Sequence, residues 1–287
     1  MLDQIVDAEN QLGECVLWCD STQRVLWTDI IGATLWAYHP ATNSSASWPM
    51  PEPLANFALT HDDNRLLVGL ASQLAFFEFS TGAITPIVTV EAGVSTRLND
   101  GRCDRQGNFV FGTFNEVQLD GQPRAALGAY YRLNAADLSL ETLPLKHCAI
   151  ANSICFSPDG ATLYYCDSPD KAIRRCDYPS LENDRGFAVC EGDGEPDGSC
   201  IDADGFLWNA QWGGYKIVRY APDGSIDMIV DTPAEQPSCA AIGGPLMDTL
   251  FATSARVGLR APRADDGALM AAEISGLRGL PESRFGV

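Results

Sequence analysis

The sequence predicts an all-β fold: a six-bladed β-propeller with four-stranded antiparallel blades, built as a single domain over residues 1–287. Three observations predict it. Apolar residues alternate with period two along most of the chain rather than recurring at helical spacing. With 26 Gly and 17 Pro spread over its length, the chain is rich in turns. A short pattern also recurs six times, in which large apolar residues follow a turn signal and give way to small or polar ones.

Taken in order, the six copies are Leu26-Trp27-Thr28, Leu67-Val68-Gly69, Val110-Phe111-Gly112, Tyr164-Tyr165-Cys166, Leu207-Trp208-Asn209 and Leu250-Phe251-Ala252. Each follows a turn: Ser21-Thr22-Gln23, Asp62-Asp63-Asn64, Arg105-Gln106-Gly107, Pro158-Asp159-Gly160, Ala203-Asp204-Gly205 and Gly243-Gly244-Pro245. The anchors Trp27, Val68, Phe111, Tyr165, Trp208 and Phe251 are spaced 41, 43, 54, 43 and 43 residues apart. That regularity favours a propeller over a two-sheet sandwich, which also has many short strands. The fifth unit predicts strands over Ser199–Asp202, Phe206–Gln211, Lys216–Tyr220 and Ser225–Val230, with Pro222-Asp223-Gly224 turning between the last two. The long interval marks an insertion, roughly Asn115–Leu127, between the second and third strands of the third unit. In an antiparallel blade that connection lies on the same face as the start of the innermost strand.

Composition excludes several functions. A formal charge of −19 repels phosphate backbones and anionic lipid, so neither nucleic acid nor a membrane is expected as a partner. No apolar run reaches spanning length, and Met1-Leu2-Asp3-Gln4 has no basic region before an apolar one. The expectation is a cytoplasmic monomer. The ten cysteines then read as free thiols, several of them (Cys103, Cys155, Cys166, Cys200) inside apolar runs. No Cys-x-x-Cys pair occurs, and His39, His61 and His147 are too few for a His-rich metal site.

Eleven to thirteen residues before four of the anchors stand Glu14, Asn99, Asn152 and Asp197. Innermost strands line a propeller's channel, so rotation about its axis brings these four to one mouth. Two carboxylates and two amides form an all-oxygen set suited to one divalent cation: Ca²⁺, Mg²⁺ or Mn²⁺ first, Zn²⁺ or Fe²⁺ also. The alternative is that they only shape turns, as Asx residues do. Asn56, at the matching place in the second unit, belongs either to the ring or to a turn. Asp202-Ala203-Asp204-Gly205 resembles a fragment of a calcium loop. Its aspartates precede the second strand at the opposite end, where they read as turn residues beside a glycine.

"LGECVLW" around Glu14, "TRLNDGRCDRQGNFVFGT" around Arg97 and Asn99, "IANSICFSPDGATLYYCDS" around Asn152 and "PDGSCIDADGFLWNAQWGG" around Asp197 resemble the regucalcin and gluconolactonase (senescence-marker-protein) family. The motifs stand in the family's order, and the ending "GLRGLPESRF" is similar to bacterial members. The resemblance implies a metal held by Glu14, Asn152 and Asp197. It also implies Asn99 completing the shell or touching substrate, and Arg97 and Glu116 contacting substrate. Two departures stand out: Ser153 follows Asn152 where many members have glycine, and Val117 replaces a second acidic residue, leaving Glu116 as the candidate there.

The implied activity is hydrolysis of a sugar lactone, a pentono- or hexono-lactone, to the aldonic acid in a sugar-oxidation pathway. A divalent ion can polarise the carbonyl, with Asp197 as general base. Alternatives are a metal-dependent hydrolase of another lactone or an organophosphate ester, or a non-enzymatic metal-binding propeller. No Gly-x-Ser-x-Gly elbow is present for a serine mechanism. The polar insertion Asn115-Glu116-Val117-Gln118-Leu119-Asp120-Gly121 favours sugars over apolar lactones.

Overall fold

The computed structural model describes residues 1–286. Among the described residues there are six four-stranded antiparallel sheets and, apart from strands, two single-turn 3₁₀ helices. Five blades are sequential in the chain. The sixth is completed by Asp3–Val6, whose strand pairs as the outermost member with Leu269–Glu273. The start of the chain therefore fastens the last blade, which six sequential repeat units do not by themselves predict.

All six anchors lie on second strands, and each is at most 3% exposed. Their side chains pack between neighbouring blades, as in the stacking of Trp18 on Phe251 at 5.9 Å between ring centroids. Apolar clusters formed in this way bridge one blade to the next around the ring. All ten cysteines are buried and unpaired, small apolar fillers on this wall.

The innermost strands are Gly13–Cys19, Leu54–Leu59, Thr96–Cys103, Ala151–Phe156, Glu195–Ile201 and Pro237–Gly243. Every one breaks register with its neighbour near its start. Such bulges re-aim side chains and leave backbone groups unpaired. Here the freed positions tie each blade to the next. Cys15 Sγ accepts from Phe57 N–H at 3.3 Å, and Asn56 Nδ2 donates to the Asn99 carbonyl at 2.5 Å. Asp100 accepts from Ile154 N–H at 2.7 Å, and the Ser153 and Ser199 hydroxyls share a 2.6 Å hydrogen bond. At Gly198 a Cβ would lie 2.6 Å from Cys239 Sγ, so only glycine allows that approach. Ser238 Oγ closes the ring by donating to the Gly13 carbonyl. Asn56 is thus an interblade strut, fully buried.

In the fifth blade the innermost strand begins at Glu195, earlier than Ser199. Pro196-Asp197-Gly198 carries the signal of a turn but forms the bulge inside a strand. The other three strands fall within one or two residues of their expected bounds. The insertion runs as expected between second and third strands of the third blade, from Phe109–Asn115 to Tyr130–Leu133.

The end of the chain crosses the opposite end of the channel. Gly279 N–H reaches the Met247 carbonyl, the Arg278 carbonyl accepts from Ala203 N–H, and Phe285 N–H reaches Leu59. Arg284 pairs with Asp20 and Asp63, and Glu282 pairs with Arg102 of the third blade's innermost strand.

Candidate active site

At the mouth formed by the strand starts lies a cavity of about 480 Å³. It collects Glu14, Arg97, Asn99, Glu116, Asn152 and Asp197 from blades far apart in sequence. All but Glu116 are buried, each at most 9% exposed, while Glu116 sits at the rim on the insertion. The bulges explain the inward aim. Glu14, Asn152 and Asp197 sit where register breaks, and the residue after two of them takes positive φ, Cys15 at 47° and Ser153 at 60°. Ser153 thus adopts the backbone conformation that glycine adopts without strain, its hydroxyl held by Ser199.

Hydrogen bonds fix the amides. The Pro196 carbonyl can only accept, so Ser168 Oγ donates to it (2.7 Å) and must itself accept from Asn152 Nδ2 (2.9 Å). Asn152 therefore turns its oxygen toward the cavity. Likewise, the Ala151 carbonyl accepts from Asn99 Nδ2 (2.9 Å), which also donates to Asn152 Oδ1 (3.0 Å). Asn99 Oδ1 is taken by Arg97 Nη1 at 2.7 Å.

The carboxylates are the anomaly. Asp197 Oδ1 is buried with no hydrogen-bond partner. Glu14 accepts the Cys15 N–H at 3.2 Å. Burial pushes the Glu14 carboxyl up to about 8, and the charge of Asp100 adds to this. Asp197 is raised well above the usual range, by burial first and then by the Glu14 charge beside it. Two acids forced together in a desolvated pocket are the arrangement a dication stabilises. With the Asn152 oxygen, they present a hard, all-oxygen donor set of the kind that holds a divalent metal, and the orphaned Asp197 oxygen fits that use. Arg97 faces them, its guanidinium lowered to about 10, chiefly by burial.

Several lining residues had no signal in the sequence. Ser168, Glu195 and Trp212 come from the fourth and fifth blades, Phe114 precedes the insertion and Arg124 lies within it. Leu12, Ile31, Ile150 and Val257 give the cavity apolar sectors that the polar insertion did not foretell. His147 sits aside, its Nδ1 against the Gly128 carbonyl at 3.0 Å. Asp202 exceeds its expected role as a turn residue. Fully buried at the opposite end, it accepts from Asp204 and Phe206 N–H, Trp208 Nε1 and Arg219.

Fold and site define a six-bladed propeller with a small-molecule cavity, floored by carboxylates and amides, at one channel mouth. The family follows from comparison with known proteins. Residues 12–256 match the model described as the SMP-30/Gluconolactonase/LRE-like region, and the chain belongs to that family. It is 52% identical to an L-arabinolactonase of Azospirillum brasilense, across 89% of this chain and 84% of that one. It is 30% identical to a 6-deoxy-6-sulfogluconolactonase of Pseudomonas putida, across 88% of this chain and 86% of that one. Among solved structures, a calcium-binding regucalcin from Agrobacterium tumefaciens superposes with a TM-score of 0.91 at 26% identity, covering 100% of this chain and 98% of that one.

Proposed function

We propose that this protein is a metal-dependent sugar lactonase that opens aldonolactones, pentonolactones above all, to the free acid. Sugar lactonase activity rests on the family and on the lactonases among its relatives. The five-carbon preference rests on the L-arabinolactonase likeness. Metal dependence rests on one observation: two buried carboxyls, Glu14 and Asp197, facing one cavity with an Asp197 oxygen left unpartnered. Glu14, Asn152 and Asp197 would hold the ion, and a calcium-binding relative is consistent with that. When bound, a divalent cation supplies Lewis-acid polarisation of the lactone carbonyl and charge stabilisation as it is attacked.

The chain's own residues do the rest. Asp197, which burial and Glu14 push toward the protonated form and a bound dication would hold ionised, accepts the proton of the attacking water. Water oxygen adds to the carbonyl carbon, the bond to the ring oxygen breaks, and that oxygen takes up the proton to become a hydroxyl. Arg97 presents its planar donors to the hydroxyls or ring oxygen of the sugar. Asn99 has its oxygen occupied by Arg97 and its nitrogen by Asn152, which suits a positioning role between substrate and metal better than ligation. Glu116, exposed at the rim, can accept from distal hydroxyls.

The test is a pH-indicator assay on a panel of aldonolactones, with chelator and metal add-back. Chelation should abolish turnover, and one or more divalent ions should restore it. Asp197→Ala should lower kcat by about 10²–10⁴. Full activity in that variant, or in the chelated protein, overturns the reading.

A further inference from the structure

The hydrogen bonds that fix the two amides run in single file with one sense. Arg97 Nη1 donates to Asn99 Oδ1 (2.7 Å), Asn99 Nδ2 to Asn152 Oδ1 (3.0 Å), and Asn152 Nδ2 to Ser168 Oγ (2.9 Å). The Ser168 hydroxyl then donates to the Pro196 carbonyl at 2.7 Å. Every donor points the same way around the mouth, from the third blade through the fourth to the fifth. The four side chains are each at most 8% exposed.

The two ends forbid the reverse sense. A guanidinium only donates and a backbone carbonyl only accepts, so the amides cannot flip and the serine proton has one place to go. The Ala151 carbonyl, which accepts from Asn99 Nδ2 at 2.9 Å, is a second acceptor-only stop. Ser168 is itself held in place. Its N–H reaches the Ile150 carbonyl at 3.1 Å, and Asp167 before it accepts from Ala149 and Ile150 N–H. The hydroxyl is thereby tied to the segment that leads into the strand carrying Asn152.

An amide oxygen has two lone pairs. Asn99 takes one from Asn152, and the other is left for the cavity that Asn152 lines. Without the Ser168 hydroxyl, the buried Asn152 N–H₂ loses its partner and the carbonyl one residue before Asp197 loses a donor.

We propose that Ser168 is a positioning residue: it ends a one-way relay from Arg97, holds the Asn152 oxygen toward the metal position and links it to the strand bearing Asp197. The proposal rests on the metal-dependent reading above, and Ser168 acts through Asn152 rather than on the ion.

The experiment has two arms. In the first, metal-free protein is titrated calorimetrically with Ca²⁺, Mg²⁺, Mn²⁺ and Zn²⁺ in turn. Ser168→Ala should bind the ion that the wild type prefers about 10- to 100-fold more weakly. The metal concentration giving half the maximal lactonase rate should rise by the same factor. Ser168→Thr, which keeps the hydroxyl, should recover most of the affinity. Unchanged affinity in folded Ser168→Ala, whatever its melting temperature, overturns the proposal. The second arm needs no metal. In ¹⁵N-labelled protein the Asn152 side-chain N–H₂ should exchange with solvent about tenfold or more slowly in the wild type than in Ser168→Ala. Wild-type exchange as fast as at the exposed Asn134 overturns the relay, whether or not any variant folds. Should the wild type bind none of the four ions, the metal reading fails separately and exchange alone decides the relay.

Discussion

Asp197 shows how much one residue's surroundings decide. Pro-Asp-Gly occurs three times, and at Asp159 and Asp223 the carboxylate accepts from nearby N–H and hydroxyl groups in an exposed turn. At Asp197 the same tripeptide lies in a buried bulge and the acid is raised instead of lowered. The sign of the consequence follows. An acid whose pKa is higher folded than unfolded binds more protons in the native state, so its contribution to stability is lost as pH rises. Metal-free protein should therefore melt at progressively lower temperature from about pH 4.5 to about 8, the range bounded by the ordinary Glu value and that of buried Glu14. A bound divalent ion should flatten the slope, its stabilisation growing with pH, as melting curves with and without chelator would reveal. Ser153 offers a second check. Ser153→Gly relieves positive φ but breaks the bond to Ser199, two effects of about 1 kcal/mol each and of opposite sign. Urea denaturation should place the variant within about 1 kcal/mol of the parent.

At the level of elements, the insertion after Phe109–Asn115 is what distinguishes the third blade. Asn115 donates to the Ala125 carbonyl at 2.8 Å and accepts from Val117 N–H at 2.9 Å, so Asn115→Ala would free both loop ends while leaving the blade's ladder intact. If the insertion contacts substrate as proposed, the expected outcome is a KM several-fold higher on the preferred lactone, with kcat and melting temperature little changed, because Glu116 and Arg124 line the cavity and not the core. How far the elements were legible depends on what each signal encodes. Trp27, Tyr165 and Trp208 stand out as spaced aromatics because every second strand buries one large side chain between blades. Glu14, Asn99, Asn152 and Asp197 are legible because they keep near-constant distance from those anchors. The bulges are not, since Cys15, Asp100, Ser153 and Gly198 share a place in the ring but no common side chain. Ser168, Trp212 and Arg124 escaped for a similar reason: their roles come from a three-dimensional neighbour, not from a repeat position.

For the whole molecule, the two chain ends act as fasteners. Asp3–Val6 completes the sixth blade, and the segment after Glu273 crosses the end of the channel away from the site. There Glu282 is the acid within reach of Arg102, in surroundings that include Cys103 and Cys155. Glu282→Gln leaves a buried cation without its partner. Chemical denaturation should register a loss of about 3–5 kcal/mol with the lactonase rate per folded molecule unchanged. A variant losing activity at full stability would instead tie the two ends of the channel together.

That crossing segment also sets traffic. Among the described residues the far end of the channel is crossed by the segment after Glu273, so a product leaving by the mouth of the carboxylate-floored cup shares that mouth with its successor. An aldonate still at the lip blocks the next lactone. The acid released should thus act as a competitive inhibitor, slowing the enzyme as its own harvest accumulates.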